Sequence, residues 1–267
     1  MTTDNFRDYE CLRFTREGRV LTITLHRPEQ RNAVNAKLHN ELSRVFSDAQ
    51  RDAHSDVVVL TGSGSAFCAG GDIEWMQSHV DDPDQFDAMA REGKDIVFTQ
   101  LDLEKPLICK MNGHATGLGA SLALLSDIVI ASEDAKIGDP HVSVGLVAGD
   151  GGALIWPQIV GYAKARKYLF TGELLTAVEA ERIGLITECV PAAKLDAHVH
   201  ELAQRIAGGA TRAIRYTKIA TNLPLKALFH AHFDAGLAYE CLSNRSADHA
   251  EAVAAFRERR KPRFTGA

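Results

Sequence analysis

Apolar and polar positions alternate near the start of the chain. In CLRFTREGRVLTITLHRP, Leu21, Ile23 and Leu25 alternate with polar residues after a Glu17-Gly18 turn, which predicts a β-hairpin ended by Pro28. The period then changes. In NAKLHNELSRVFSDAQRD, Leu38, Leu42, Val45 and Phe46 share one helical face, and Asn35 before them suits an N-cap. DVVVLTGSG, PLICKMNG and DIVIAS are short unbroken apolar runs closed by turn residues, the pattern of strands buried on both faces. Helical stretches separate them, so the order reads as a β/α repeat with mostly parallel pairing. LTAVEAERIGLITECV carries a capping box, Thr176 with Glu179, and a helix stop at Gly184. From about Lys194 to Arg260 the pattern is helical, with Pro191 and Pro224 as breaks. The chain thus divides into a β/α part, residues 1–193, and a helical part, residues 194–267.

Composition narrows the function. The 267 residues are 45% hydrophobic and 24% charged, enough to bury one large core. A net charge of -5 supplies no basic field for nucleic acid or an anionic membrane surface. No apolar run approaches the roughly 20 residues of a membrane span. Cys11, Cys68, Cys109, Cys189 and Cys241 are dispersed without CxxC spacing, so reduced thiols in a cytoplasmic setting are expected. The stretch MTTDNFRDYE has neither the basic nor the apolar region of a secretory leader. No metal site is expected: the two-residue offsets His198/His200 and His230/His232 split each pair between helix faces.

Two glycine-rich turns carry candidate chemistry. SAFCAGGDI and MNGHATGLGASLALLSD each follow a predicted strand and lead into a helix. Such turns leave backbone N–H groups at a helix start, where negative charge is favoured. Two of them converging on one point would form an oxyanion hole. Neither fits a P-loop or a dinucleotide fingerprint. Either one alone reads equally as a tight turn. A third segment, GDPHVSVGLVAGDGG, places His141 and Asp150 among glycines that let the chain fold back.

LHRPEQRNAVN, AFCAGGDI, NGHATGLGASLALLSDIVIAS, VGLVAGDGG, TGELLTAVEAERIGLI and FRERRKPRFTG occur in this order and spacing. Together they resemble the crotonase family, also called the enoyl-CoA hydratase/isomerase family, over nearly the whole chain. The resemblance implies an α/β fold, a crotonase-like spiral of ββα units, with a helical C-terminal region that assembles trimers or dimers of trimers. It also implies acyl-CoA substrates of the fatty-acid type, with no cofactor beyond the coenzyme A carried by the substrate. The oxyanion donors map onto the N–H groups of Gly71 and Leu118. Leu118 stands where glycine is usual. CoA-binding positions map onto Arg27, Ala66, Phe67 and Ala69, and onto Lys261 and Phe264, which would cover the CoA of a neighbouring subunit.

The departures from the family pattern are informative. The two water-activating glutamates of true hydratases map onto Ser121 and His141, and the usual isomerase carboxylate maps onto Gly149. His141 suits a general base at neutral pH, with Asp150 behind it to orient the ring and Ser121 as a water-holder or spectator. The spacing of PH and GD resembles the β-diketone hydrolase branch typified by 6-oxocamphor hydrolase. Asp150 could instead be a helix N-cap, and Asp72 reads as a cap. Trp75 and Met76 line the acyl pocket or only pack in the core. Three readings follow: an enoyl-CoA hydratase-type lyase using the His141/Asp150 pair, a carbon–carbon hydrolase of a cyclic β-diketone, or a catalytically degenerate CoA-binding protein.

Overall fold

The computed structural model describes residues 6–267. Residues 1–5, part of the stretch read above for a leader, lie outside the described residues. The predicted hairpin forms as β1 (Leu12–Glu17) and β2 (Val20–Leu25), paired antiparallel, with Gly18 in the turn. The predicted helix forms as α1 (Ala36–Arg51), and the Asn35 side chain accepts the Leu38 N–H at 3.0 Å as its N-cap. The three apolar runs become β3 (Val57–Gly62), β5 (Leu107–Met111) and β7 (Ile128–Ser132). With β10 (Glu188–Val190) they complete a six-stranded sheet in the order β1-β2-β3-β5-β7-β10, parallel from β2 onward.

Three short strands lie between the long ones: β4 (Ala66–Cys68), β6 (His114–Thr116) and β8 (Lys136–Gly138). With β9 (Leu175–Thr176) they make a second sheet, β4-β6-β8-β9. The pairs β3/β4, β5/β6 and β7/β8 each give one strand to each sheet, so the chain climbs in a spiral. α2 (Ile73–Asp81) and α3 (Pro83–Asp102) close the first turn, and α4 (Leu118–Leu124) closes the second. α5 (Gly152–Thr171) and α6 (Ala177–Arg182) follow.

Apolar residues on both faces of the large sheet explain the unbroken runs. Leu21, Ile23, Leu25, Val58, Leu60, Leu107 and Cys109 point into the main core. Val20, Val57, Val59, Ile108 and Ile130 face the other way and are covered by Leu195, Val199 and Ala203 of α7 (Leu195–Ala207). α8 (Thr211–Asn244) and α9 (Ala247–Arg257) complete the helical region. Phe229 and Phe233 of α8 belong to the main core, so the C-terminal helices pack into the β/α part. Among the described residues no helix is long and apolar enough to cross a membrane.

Two local expectations change. Pro224 does not break α8, which runs 34 residues through it. Buried Lys218 on one side and Phe229 and Phe233 on the other anchor the helix, which tolerates the missing N–H donor. The capping box is half formed. Thr176 accepts the Glu179 N–H at 3.2 Å, but the Glu179 carboxylate pairs with Arg182 at 2.6 Å instead of reaching back.

Candidate active site

The three parallel strands of the small sheet end at one place, and each delivers a functional group. β4 leads through Gly70 and Gly71 into α2. Val34 bridges this turn: its N–H donates to the Gly70 carbonyl at 2.7 Å, and its carbonyl accepts the Asp72 N–H at 2.9 Å. That pattern leaves the Gly71 N–H between them outside the ladder. β6 leads through Gly117 into α4, and the Leu118 N–H lies at the helix start, where backbone donors have no helical partner. Gly117 (φ 55°) takes the strained turn conformation, so Leu118 keeps an ordinary φ and its side chain does not disturb the donor. The two turns touch: a Cβ on Gly70 would lie 2.9 Å from the Thr116 carbonyl oxygen.

β8 leads through Asp139 and Pro140 to His141, which opens a short 3-10 turn, His141–Val144. The His141 ring lies against Gly117: a Cβ there would be 3.5 Å from its Cε1. Nδ1 of His141 makes a short hydrogen bond with Oδ1 of Asp139, whose side chain is fully buried. The place behind the imidazole expected for Asp150 therefore belongs to Asp139. Asp150 faces the other ring nitrogen, with Oδ2 3.7 Å from Nε2, too far for a direct hydrogen bond. Ser121, buried in α4, donates to Oδ1 of Asp150 at 3.1 Å and fixes its carboxylate. Asp150 is not the N-cap of α5. Gly151 is, and the Asp150 carboxylate only reaches the Gly152 N–H at 3.4 Å.

A third carboxylate arrives from α8. Oε1 of Glu240 lies 3.9 Å from Nε2 of His141. A Cβ on Gly149 would meet Oε2 of Glu240 at 2.8 Å, so Glu240 fills the space a side chain at position 149 would need. The sequence signal for Glu240 is its place on the buried stripe of α8, with Phe229, Phe233 and Asn244. The signal for Asp139 is an acid directly after a strand and two residues before His141.

Burial and charge set the protonation of this group. Burial alone would push His141 down, but the carboxylates of Asp139 and then Asp150 outweigh it and hold the imidazole well above its usual range, with Glu240 adding to them only where it is ionised. Burial raises Asp150, against the opposing pull of His141. Burial pushes Glu240 up to about 8, so it carries a proton at neutral pH. Oδ2 of Asp139, Oδ2 of Asp150 and Oε2 of Glu240 are buried without a hydrogen-bond partner among the described residues. Ligand atoms of Asp139, His141 and Asp150 lie within 4.8 Å of one another, the one set among the described residues from which a cation could be held. In that set Asp139 is already tied to the imidazole.

Two spaces meet at this cluster. An open cleft of about 710 Å³ is lined by Arg31, Ala69, Gly71, Met76, His141 and Phe256, among others. An inner cavity of about 80 Å³ shares Gly71, Met76 and His141 with it, and Trp75, Leu118, Asp150 and Glu240 line it as well. Trp75 and Met76 thus both reach the pocket. Arg27 does not line the cleft. Its guanidinium pairs with Asp72 at 3.0 Å and with the Ala33 carbonyl, and the missed neighbour Arg31 lines the cleft instead. Asp72 is the N-cap of α2, accepting the Glu74 N–H at 3.1 Å. Ala66 and Phe67 are buried in the core, and only Ala69 of that segment lines the cleft. Lys261 lines a separate surface depression with Asp248 and Glu251, and Phe264 stands exposed, so neither reaches the cleft of its own chain. His230 packs at a 36° tilt against Phe98, and His198 pairs with Glu188 at 2.6 Å.

The sequence pattern of the enoyl-CoA hydratase/isomerase family matches residues 15–267. A probable enoyl-CoA hydratase of Mycobacterium tuberculosis is 35% identical over 263 residues, covering 96% of this chain and 98% of that one. The crystal structure of an enoyl-CoA hydratase/isomerase from Mycobacterium paratuberculosis superposes with a TM-score of 0.89 at 34% identity, covering 92% and 99% of the two chains. A β-diketone hydrolase from the cyanobacterium Anabaena, bound to (S)-3-oxocyclohexyl acetic acid, superposes with a TM-score of 0.85 at 34% identity, covering 91% and 98%.

Proposed function

The chain belongs to the enoyl-CoA hydratase/isomerase family, and on that footing we propose that it adds water to the C2–C3 double bond of an enoyl-CoA thioester, with His141 and Asp150 replacing the two glutamates. The observation that carries this reading is the facing of Nε2 of His141 and Oδ2 of Asp150, 3.7 Å apart, where cleft and cavity meet beside Gly71 and Leu118. The thioester oxygen takes the N–H groups of Gly71 and Leu118, which stabilise it as an enolate. Water sits between His141 and Asp150.

Asp150 takes one proton from the water as its oxygen bonds to C3. The π electrons move onto the thioester as an enolate. Nε2 of His141, held as imidazolium, returns a proton to C2. Proton transfer from Asp150 to His141 restores the starting state, and the sum is one water added. Asp139 fixes the ring so that only Nε2 exchanges protons. This differs from the expected His141 base backed by Asp150, because the surrounding carboxylates favour the imidazolium.

The open cleft takes the CoA, with Ala69 and Arg31 along it, and Lys261 and Phe264 cover the CoA of a neighbour in a trimer or dimer of trimers. No cofactor is required beyond the substrate's coenzyme A, and the cytoplasm suits the dispersed thiols. The test is the loss of enoyl-thioester absorbance when the purified protein is mixed with but-2-enoyl-CoA. Turnover by wild type, reduced at least about 10²-fold in His141→Ala and Asp150→Asn, supports the reading. The likeness to the Anabaena hydrolase favours a second reading, attack of the same water on a ring carbonyl. Inert CoA esters together with cleavage of a cyclic β-diketone would establish that one instead.

A further inference from the structure

Two buried histidines, His39 and His79, line the inner cavity and a third, His249, is close enough to act on His79, and their hydrogen bonding differs. His39 places Nδ1 on Oε2 of Glu92 at 2.9 Å. His249 places Nδ1 on the Val144 carbonyl at 2.6 Å. His79, on α2, is 3% exposed and lines the cavity, yet its ring has no hydrogen-bond partner among the described residues. Packing holds the ring in place. Trp75 lies 4.7 Å from it, tilted 60°, and Phe86 meets it edge-on at 5.2 Å. Burial pushes His79 down to about 4, so the ring is neutral and offers one donor and one acceptor.

Neither ring nitrogen of His79 is among the fully buried unpartnered atoms, so the ring keeps access to the cavity, and an all-carbon occupant would cover it without supplying a hydrogen bond, which is costly. Of the two rings packed against His79, Phe86 offers no hydrogen bond and Trp75 only an indole N–H, a donor, so the His79 ring supplies the acceptor on this side of the cavity. At about 80 Å³ the cavity is smaller than the roughly 150 Å³ that admits benzene, which limits the occupant to a short group. We propose that His79 is a specificity-determining residue that selects a short acyl group bearing a hydroxyl or keto oxygen beyond the reacting C2–C3 bond. This rests on the acyl-CoA reading above. The reacting atoms stay with His141 and Asp150, and His79 acts on binding of the far end.

The experiment compares but-2-enoyl-CoA with 4-hydroxybut-2-enoyl-CoA, which differ by one oxygen. Wild type is expected to favour the hydroxylated ester by at least about tenfold in kcat/KM, mostly through KM. His79→Phe should bring that ratio close to one, and His79→Gln, which keeps a donor and an acceptor, should retain the preference. Equal use of both esters by wild type overturns the proposal, even if His79→Phe fails to fold. A ratio unchanged in a folded His79→Phe also overturns it. Calorimetry with free CoA separates the two readings: intact CoA binding with a ratio of one removes only the role of His79, and no CoA binding removes both.

Discussion

Asp139 shows how one side chain sets the chemistry of another. It makes no contact with the cleft, being fully buried, yet it holds Nδ1 of His141 and stands first among the charges that raise that imidazole. It packs against Gly152 in the first turn of α5, where a helix start favours a carboxylate. Asp139→Asn keeps the shape and removes the charge. The imidazole then loses its largest charge partner, its pKa falls, and the imidazolium is lost at a lower pH. The alkaline limb of the kcat profile should move to lower pH, with kcat at neutral pH down about 10²-fold and KM little altered. A pH–rate profile that matches wild type would remove Asp139 from the mechanism as a positioning residue. The sequence displays His141 and Asp150 because glycines frame them. Asp139 is hidden by its position at a strand end, where an acid reads equally well as a turn residue.

At the scale of elements, the site is made by three strands of three residues each. Period-two alternation needs more residues than that, so β4, β6 and β8 were not legible, while β1, β2, β3, β5, β7 and α1 were. The glycine turns that leave the short strands were legible, because their composition is unusual even where the strand is not. Glu240 was not, since a spiral brings α8 back across a hundred residues of sequence to reach His141. The turn geometry itself can be tested. Gly117 (φ 55°, ψ -126°) puts Leu118 at the start of α4, and a methyl there would make only an ordinary contact with His141 Cε1 at 3.5 Å, so its cost lies in the backbone. Gly117→Ala should cost about 1–3 kcal/mol in urea melts from backbone strain. It should also lower kcat about 10²–10³-fold by misplacing the Leu118 N–H. Gly184→Ala is the control: its φ is 78°, its Cβ would meet nothing within 4 Å, and it lies at a different surface cleft. It should show the strain in urea and keep its turnover. Equal losses of kcat in both variants would mean that the Gly117 effect is only instability.

For the whole molecule, a buried cluster that holds extra protons links stability to pH. The unfolded chain ionises a glutamate near 4.5, whereas native Glu240 keeps its proton up to about 8. His141 is likewise raised above 6.5 in the folded state. Above pH 6.5 the native state therefore binds more protons than the unfolded one, and stability must fall as pH rises. Opposing groups weaken the slope near pH 6.5 and are quiet only above about pH 7. His79 and His249 are lowered, so both are neutral in the native and unfolded states above about pH 7. Lys105, lowered to about 8, starts to favour the folded state only at higher pH. Between pH 6.5 and 7.5 wild type should lose about 1.4 kcal/mol per pH unit for each excess proton, read from urea melts at fixed ionic strength. Glu240→Gln removes one titrating group while keeping its volume, so its slope should be shallower by about one proton. His141→Gln should flatten it further. A Glu240→Gln slope equal to that of wild type would place the Glu240 proton in the solvent range, and Glu240 would then face His141 as a carboxylate at neutral pH.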